Sequence, residues 1–210
     1  MEPTSGRARF LSERDVSRET IARLDAYAAL LQKWNTAINL VSKASIEDLW
    51  NRHFRDSAQI FDLIKVRSGH WVDLGSGGGF PGLVCAILAR DSAPELRFTL
   101  VESDLRKATF LRTVLRETGV SGQVLSERIE TLAPLCADIL SARALAPLKT
   151  LLEYAERHLK PNGQALFLKG ASFQKELEEA LESWTFRREE YASSTDGAGT
   201  VLILGEIRRV

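Results

Sequence analysis

Trp71-Val72-Asp73-Leu74-Gly75-Ser76-Gly77-Gly78-Gly79-Phe80-Pro81-Gly82 decides the reading of this chain. The first four residues form a short strand of the kind buried in a sheet. Eight residues follow, Gly75 to Gly82, of which five are glycine, and then the apolar run Leu83 to Leu88 predicts a helix. Glycine admits positive φ and lets a ligand approach the backbone closely. In an open α/β sheet such a loop sits at the carboxyl ends of the strands, where ligands bind. A merely structural turn needs fewer glycines, since each adds to the chain entropy lost on folding.

Working outward, strands alternate with helices. Further strands are predicted at 96–101, 123–125, 138–141 and 165–168, and helices at 83–90, 105–118, 148–159 and 173–183. Gly119 is a natural C-cap and Lys160-Pro161-Asn162-Gly163 a turn. Residues 184–191 and 200–208 read as antiparallel strands around Thr195-Asp196-Gly197. The pattern predicts an α/β, Rossmann-like fold. Its sheet is mostly parallel, flanked by helices, with a C-terminal antiparallel strand.

Upstream of His70 the chain reads as helical. Ile21, Leu24, Ala28, Leu31 and Trp34 recur at helical spacing. A second helix is expected to start at Ser45, where Ser45-Ile46-Glu47-Asp48 has the form of a capping box. Its face carries Leu49, His53, Asp56, Ile60 and Leu63. Two polar groups on that stripe need partners: either a helix-end network or the border of a ligand cleft. The division expected is residues 1–66 as a helical extension packed on the core, and 67–210 as the ligand-binding domain.

Composition narrows the classes. The 210 residues are 44% apolar and 27% charged, with 28 Lys plus Arg against 28 Asp plus Glu. That excludes a disordered chain and a globally basic nucleic-acid coat, though not a local basic patch. No run approaches the roughly 18 apolar residues of a membrane span. Met1 to Arg7 lacks the apolar stretch of a secretory signal. Cys85 and Cys136 cannot make a disulfide framework or a metal cage. The expectation is a cytoplasmic protein with no metal and no membrane partner.

Several nucleotide readings compete for the loop. The dinucleotide fingerprint wants glycine at its sixth position, where Phe80 stands, and no Lys-Ser or Lys-Thr follows to make a P-loop. Gly75, Gly77 and Gly79, with Asp73 two residues ahead, fit S-adenosylmethionine (S-adenosyl-L-methionine) better. That ligand has no phosphate to seat on a helix N-terminus. Glu102, 27 residues after Gly75, ends the next strand, where a carboxylate can accept ribose hydroxyls in either class of site. Asp73 is expected to organise loop amides.

The loop is similar to that of class I methyltransferases, and its Phe-Pro-Gly ending is narrower. With Lys33-Trp34-Asn35, Asn39-Leu40, His53-Phe54-Arg55-Asp56-Ser57, Ser141-Ala142-Arg143-Ala144 and Lys169-Gly170, the chain resembles the glucose-inhibited division protein B family from about Leu24 to Gly170. The resemblance implies a bacterial enzyme that methylates N7 of a guanine in small-subunit (16S) ribosomal RNA. It implies that Gly75 and Phe80 contact the cofactor and that Glu102 is the ribose acid, where Asp is commoner. It further implies that Ile129 and Glu130 border the adenine and that Arg143 stands at the cleft mouth. The segment Ala89 to Glu95 departs from the family by being longer.

Guanine N7 has a lone pair and no proton, so no general base and no catalytic residue is assigned; positioning does the work. His70 and His158 are expected to be structural or exposed. The target base should be looped or flipped out, to stack on an aromatic or arginine plane. RNA contacts are sought at Arg55, Arg106, Lys107 and Lys169, and the acidic helix Lys175 to Glu182 should face away. The partner implied is small-subunit RNA or the assembling small subunit, bound by a monomer. The rivals are a methyltransferase of another RNA, a protein or a small molecule, a dinucleotide-dependent oxidoreductase, and a non-catalytic ribosome-binding module.

Overall fold

The computed structural model describes residues 5–210, so Met1 to Thr4 of the N-terminal reading lie outside it. Seven strands form one sheet: β1 (Ser68–Leu74), β2 (Glu95–Val101), β3 (Gln123–Leu125), β4 (Ala137–Arg143), β5 (Leu159–Lys169), β6 (Trp184–Ala192) and β7 (Thr200–Arg209), in the order β3-β2-β1-β4-β5-β7-β6. The first five pair in parallel, while β7 runs antiparallel to β5 and to β6. The fold is thus the class I methyltransferase type. Among the described residues no helix is long and apolar enough to cross a membrane.

From β1 the chain steps outward to β2 and β3, then returns to place β4 on the other side. This reversal leaves a crevice at the carboxyl ends of β1 and β4. Register sharpens it: Leu74 stands opposite both Val101 and Ala142. The next residues, Gly75, Glu102 and Arg143, therefore stand side by side at the carboxyl edge of the sheet.

Helices cover both faces. One face holds α5 (Gly82–Ser92) and α6 (Leu105–Thr118) with the N-terminal helices α1 (Gly6–Glu13), α2 (Arg18–Asn35), α3 (Lys43–Glu47) and α4 (Asp56–Leu63). Phe10, Leu24, Tyr27, Leu31 and Phe54 share one buried cluster with Leu83, Leu100 and Phe110. Each such side chain contributes about 1.5–3 kcal/mol by leaving water. The other face holds α7 (Leu148–His158) and α8 (Phe173–Leu181), packed through Leu148, Leu152, Leu177 and Trp184.

Local chemistry sets the ends. Ser17 caps α2 by accepting the Thr20 amide, Asp104 caps α6 by accepting the Arg106 and Lys107 amides, and Gly119 closes α6 at φ +61. Two boundaries differ from the sequence reading. The helix expected from Ser45 is instead capped by Ser42, ends at Glu47, and passes through a π-helical turn (Trp50–Arg55) into α4. The turn at Lys160–Gly163 is a bulge inside β5: Leu159 opposes Ala137, and the ladder resumes at Gln164 opposite Ile139. The segment Ala89 to Glu95 ends α5 and opens β2, and its Asp91 accepts hydrogen bonds from Ser17 and Thr20, both at 2.7 Å.

Candidate active site

The crevice opens into a cleft of about 670 Å³. Its floor is the glycine loop. Ser76 donates its amide to the Val101 carbonyl (3.0 Å) and its hydroxyl to the Asp73 carbonyl (3.0 Å), which pins the loop to the sheet. Gly75 adopts φ +61, and a Cβ there would meet Leu145 Cδ1 at 2.5 Å. Gly77 adopts φ +53, yet a Cβ would find nothing nearer than the Gly75 oxygen at 3.8 Å. The backbone is thus bare toward the cleft at Gly77.

Glu102 forms the far wall, 8% exposed. One carboxylate oxygen accepts the Gly77 amide and the other the Asp104 amide, both at 2.8 Å. Each oxygen has two lone-pair sites, so one on each stays free for a hydroxyl. Ile129 is buried at the end beyond, and Glu130 accepts a hydrogen bond from the Tyr154 hydroxyl. A carboxylate with spare acceptor capacity, a bare glycine backbone and an apolar end fit a nucleoside with an amino-acid tail. The volume falls within the roughly 300–1,000 Å³ of small-molecule sites.

On the opposite wall lies Phe80. His53 stacks on it at 4.6 Å between centroids, Tyr27 stacks at 5.4 Å, and the Arg143 guanidinium sits 5.1 Å over the ring. Arg143 donates to His53 Nδ1 (2.6 Å), to the Arg52 carbonyl (3.1 Å) and to Asp56 (3.3 Å). Asp56 in turn accepts hydroxyl hydrogen bonds from Ser193 (3.3 Å) and Thr195 (3.0 Å) of the β6–β7 loop. Burial, then the nearby Arg143 and Arg52 charges, push the His53 pKa down to about 3. A second cavity of about 390 Å³ lies beyond, and Ser45, His53, Arg143 and Ala144 line both.

The structure brings Gly75, Gly77, Phe80, Glu102, Ile129, Glu130 and Arg143 to one cleft. Gly79 lies behind it: a Cβ there would strike Leu83 and the Tyr27 hydroxyl, so this glycine serves close packing beneath the loop. The buried Asp73 carboxylate accepts the Ser141 hydroxyl at 2.6 Å and lies against Gly82 at the end of the loop, while Glu102 holds the Gly77 amide. Burial raises Asp73 to about 6, partly offset by hydrogen bonds from Ser141, Ser76 and Gly82.

One of the expected RNA contacts is corrected. Arg55 is buried and donates to both carboxylate oxygens of Glu13 (2.8 and 2.7 Å). Lys169 pairs with Glu176 at 2.5 Å and donates to the Ala146 carbonyl at 3.1 Å, and it lines the second cavity. Arg106 is exposed, and Lys107 lines the cleft rim. Among the histidines, His158 is buried and bonded to the Ile129 carbonyl, and His70 to Thr99, both away from the reacting end. Tyr27 was missed: it donates to the Gly78 carbonyl and braces Phe80 from α2. Its place between Leu24 and Leu31 on the apolar stripe was the available signal.

Comparison with known proteins agrees with the geometry. The family described as rRNA small subunit methyltransferase G (GidB) matches residues 20–200. A Ruegeria pomeroyi protein, ribosomal RNA small subunit methyltransferase G, is 55% identical over 93% of this chain and 96% of its own. The protein of that name from Rhodospirillum centenum is 53% identical over 91% of this chain and 87% of its own. Among solved structures, an Aquifex aeolicus SAM-dependent methyltransferase superposes with TM-score 0.58 at 11% identity, over 84% of this chain and 97% of the other. A variant of MtNAS in complex with S-adenosylmethionine gives 0.58 at 16% identity, over 89% and 76%. At those identities the structural likeness speaks for the fold.

Proposed function

Because the chain belongs to the rRNA small subunit methyltransferase G family, and is thus an S-adenosylmethionine-dependent methyltransferase of small-subunit ribosomal RNA, we propose that its acceptor atom is N7 of a guanine entering through the second cavity. The observation that carries this reading is the junction at His53 and Arg143. One cavity suits the methyl donor, the other is large enough for a single flipped base, and the two residues line both.

S-adenosylmethionine supplies an electrophilic methyl group on a sulfonium centre. Glu102 and the Gly75–Gly77 backbone would hold its ribose and tail, and Ile129 its adenine. Phe80, clamped between His53, Tyr27 and Arg143, gives the reacting end a rigid wall. N7 needs no deprotonation, and the junction offers no poised base: the His53 pKa lies near 3. Holding two partners in attack geometry accounts for about 7–11 kcal/mol of a barrier. That is the part these residues would supply.

Lys107 on the cleft rim and the exposed Arg106 beside it in sequence are basic groups available to meet RNA phosphates. We further read the enzyme as a cytoplasmic monomer that acts on the small subunit during assembly. The test is mass-spectrometric mapping of small-subunit RNA methyl groups in cells with and without the gene. One 7-methylguanosine should vanish in the deletion and return with the plasmid-borne gene; an unchanged map would refute the guanine-N7 reading. Gel filtration with light scattering checks the monomer.

A further inference from the structure

Arg143 fixes the tautomer of His53. A guanidinium cannot accept a hydrogen bond, so the 2.6 Å contact makes His53 Nδ1 the acceptor. The ring proton is therefore on Nε2. That atom is buried and has no hydrogen-bond partner among the described residues. His53 is only 8% exposed, yet it lines both cavities at their junction. A dry, unpaired N–H is costly to the protein alone, and its surroundings hold its orientation. Phe80 stacks on the ring face, and Arg143, itself anchored by Asp56 and the Arg52 carbonyl, occupies the other nitrogen.

We propose that His53 is a specificity-determining residue that donates its Nε2–H to O6 of the target guanine as the base settles in the second cavity. This rests on the guanine-N7 reading above. O6 neighbours N7 on the same ring edge, so a donor there selects the base and aims the nucleophile together. Adenine presents an amino donor at that place and would set two donors against each other. The neutral state of the ring matters as well. Methylation leaves the guanine cationic, and a neutral donor holds O6 without adding a second positive charge beside it. Seating the base requires a shift that uncovers Nε2 at the junction the two cavities share.

The test uses small subunits from a strain lacking the gene, and subunits reconstituted with inosine or 2-aminopurine at the position the wild-type enzyme methylates. Inosine keeps O6 and 2-aminopurine lacks it. Wild type should transfer methyl to guanine and inosine with similar kcat/KM and lose about 10- to 100-fold on 2-aminopurine, the range for stranding a buried donor. His53→Phe keeps the ring stack without the N–H. It should lose a similar factor on guanine, lose little further on 2-aminopurine, and bind S-adenosylhomocysteine as wild type does. His53→Gln, which can present an amide N–H at the same place, should restore much of the discrimination. Should His53→Phe fail to fold, the wild-type and His53→Gln arms still decide. Equal use of guanine and 2-aminopurine by wild type would overturn the proposal, as would full discrimination retained in His53→Phe or a parallel loss of S-adenosylhomocysteine affinity. Failure of wild type to methylate any ribosomal guanine would instead overturn the reading beneath it.

Discussion

The Glu102 carboxylate accepts the backbone N–H of Gly77 at 2.8 Å, joining the end of β2 to the glycine loop that leaves β1. One side chain thus fixes the loop and keeps free lone pairs toward the cleft. A charge-assisted hydrogen bond is worth about 1.5–3 kcal/mol. Glu102→Gln should therefore weaken S-adenosylhomocysteine binding roughly 10- to 100-fold by calorimetry, while Glu102→Asp, still ionised but shorter, should lose less. Equal affinities for wild type and Glu102→Gln would remove Glu102 from the site.

Two glycines in the loop should respond differently to alanine. At Gly75 the new methyl meets Leu145 at 2.5 Å and the backbone is left-handed, so cofactor binding should fall sharply. At Gly77 only the left-handed φ opposes it, at about 1–2 kcal/mol, and no side chain is displaced. Gly77→Ala should keep measurable binding with a lowered melting temperature. If the order of the two affinities came out reversed, the loop geometry described would be incorrect.

The pH dependence of stability follows from two buried groups that oppose each other. His53 falls from 6.5 to about 3, chiefly by burial. Between those values the unfolded chain binds a proton that the folded chain refuses. Stability from this source is therefore lost as pH falls from 6.5 toward 3, at up to about 1.4 kcal/mol per pH unit. Asp73 rises from 3.8 to about 6, again by burial. There the folded chain holds the extra proton, and this contribution favours folding increasingly as pH falls. His53→Phe removes only the first. Its urea midpoint should gain on wild type as pH drops from 6.5 to 4; a constant offset across that range would contradict the buried neutral histidine.

Arg55 and Arg106 separate structure from RNA binding. Arg55→Ala leaves Glu13 without its buried partner and should cost about 1–3 kcal/mol of stability, the lower end favoured because Glu13 is half exposed. Its RNA affinity should stay unchanged below the melting transition. Arg106→Ala should leave stability alone and flatten the dependence of RNA affinity on salt. Filter binding at several salt concentrations reads both, and a salt-slope change in Arg55→Ala would show that the buried pair opens to RNA.

What was legible in the sequence was local. A short strand, five glycines and an apolar helix announce a strand–loop–helix crevice by themselves. Gly119 marks the end of α6 within a single turn of chain. What was not legible depends on residues far apart. Arg55 is spoken for by Glu13, 42 positions away, and Arg143 by His53, 90 positions away. Before the chain is folded, a buried arginine and an RNA-binding arginine look alike. The capping-box pattern pointed to Ser45, and in the fold it is the Ser42 hydroxyl that accepts the Ser45 amide. Nor could the sequence show that strand register puts Ser141 beside Asp73, or that the Gly77 amide also falls to Glu102.

The most direct test of the central claim is transfer of isotope-labelled methyl from S-adenosylmethionine, by the purified protein, to small subunits from a strain lacking its gene, followed by nucleoside mass spectrometry. The account predicts label in 7-methylguanosine at a single position and none once Glu102→Gln is combined with Gly75→Ala. Label in any other nucleoside, or none in RNA under conditions where the protein binds S-adenosylhomocysteine, would contradict it.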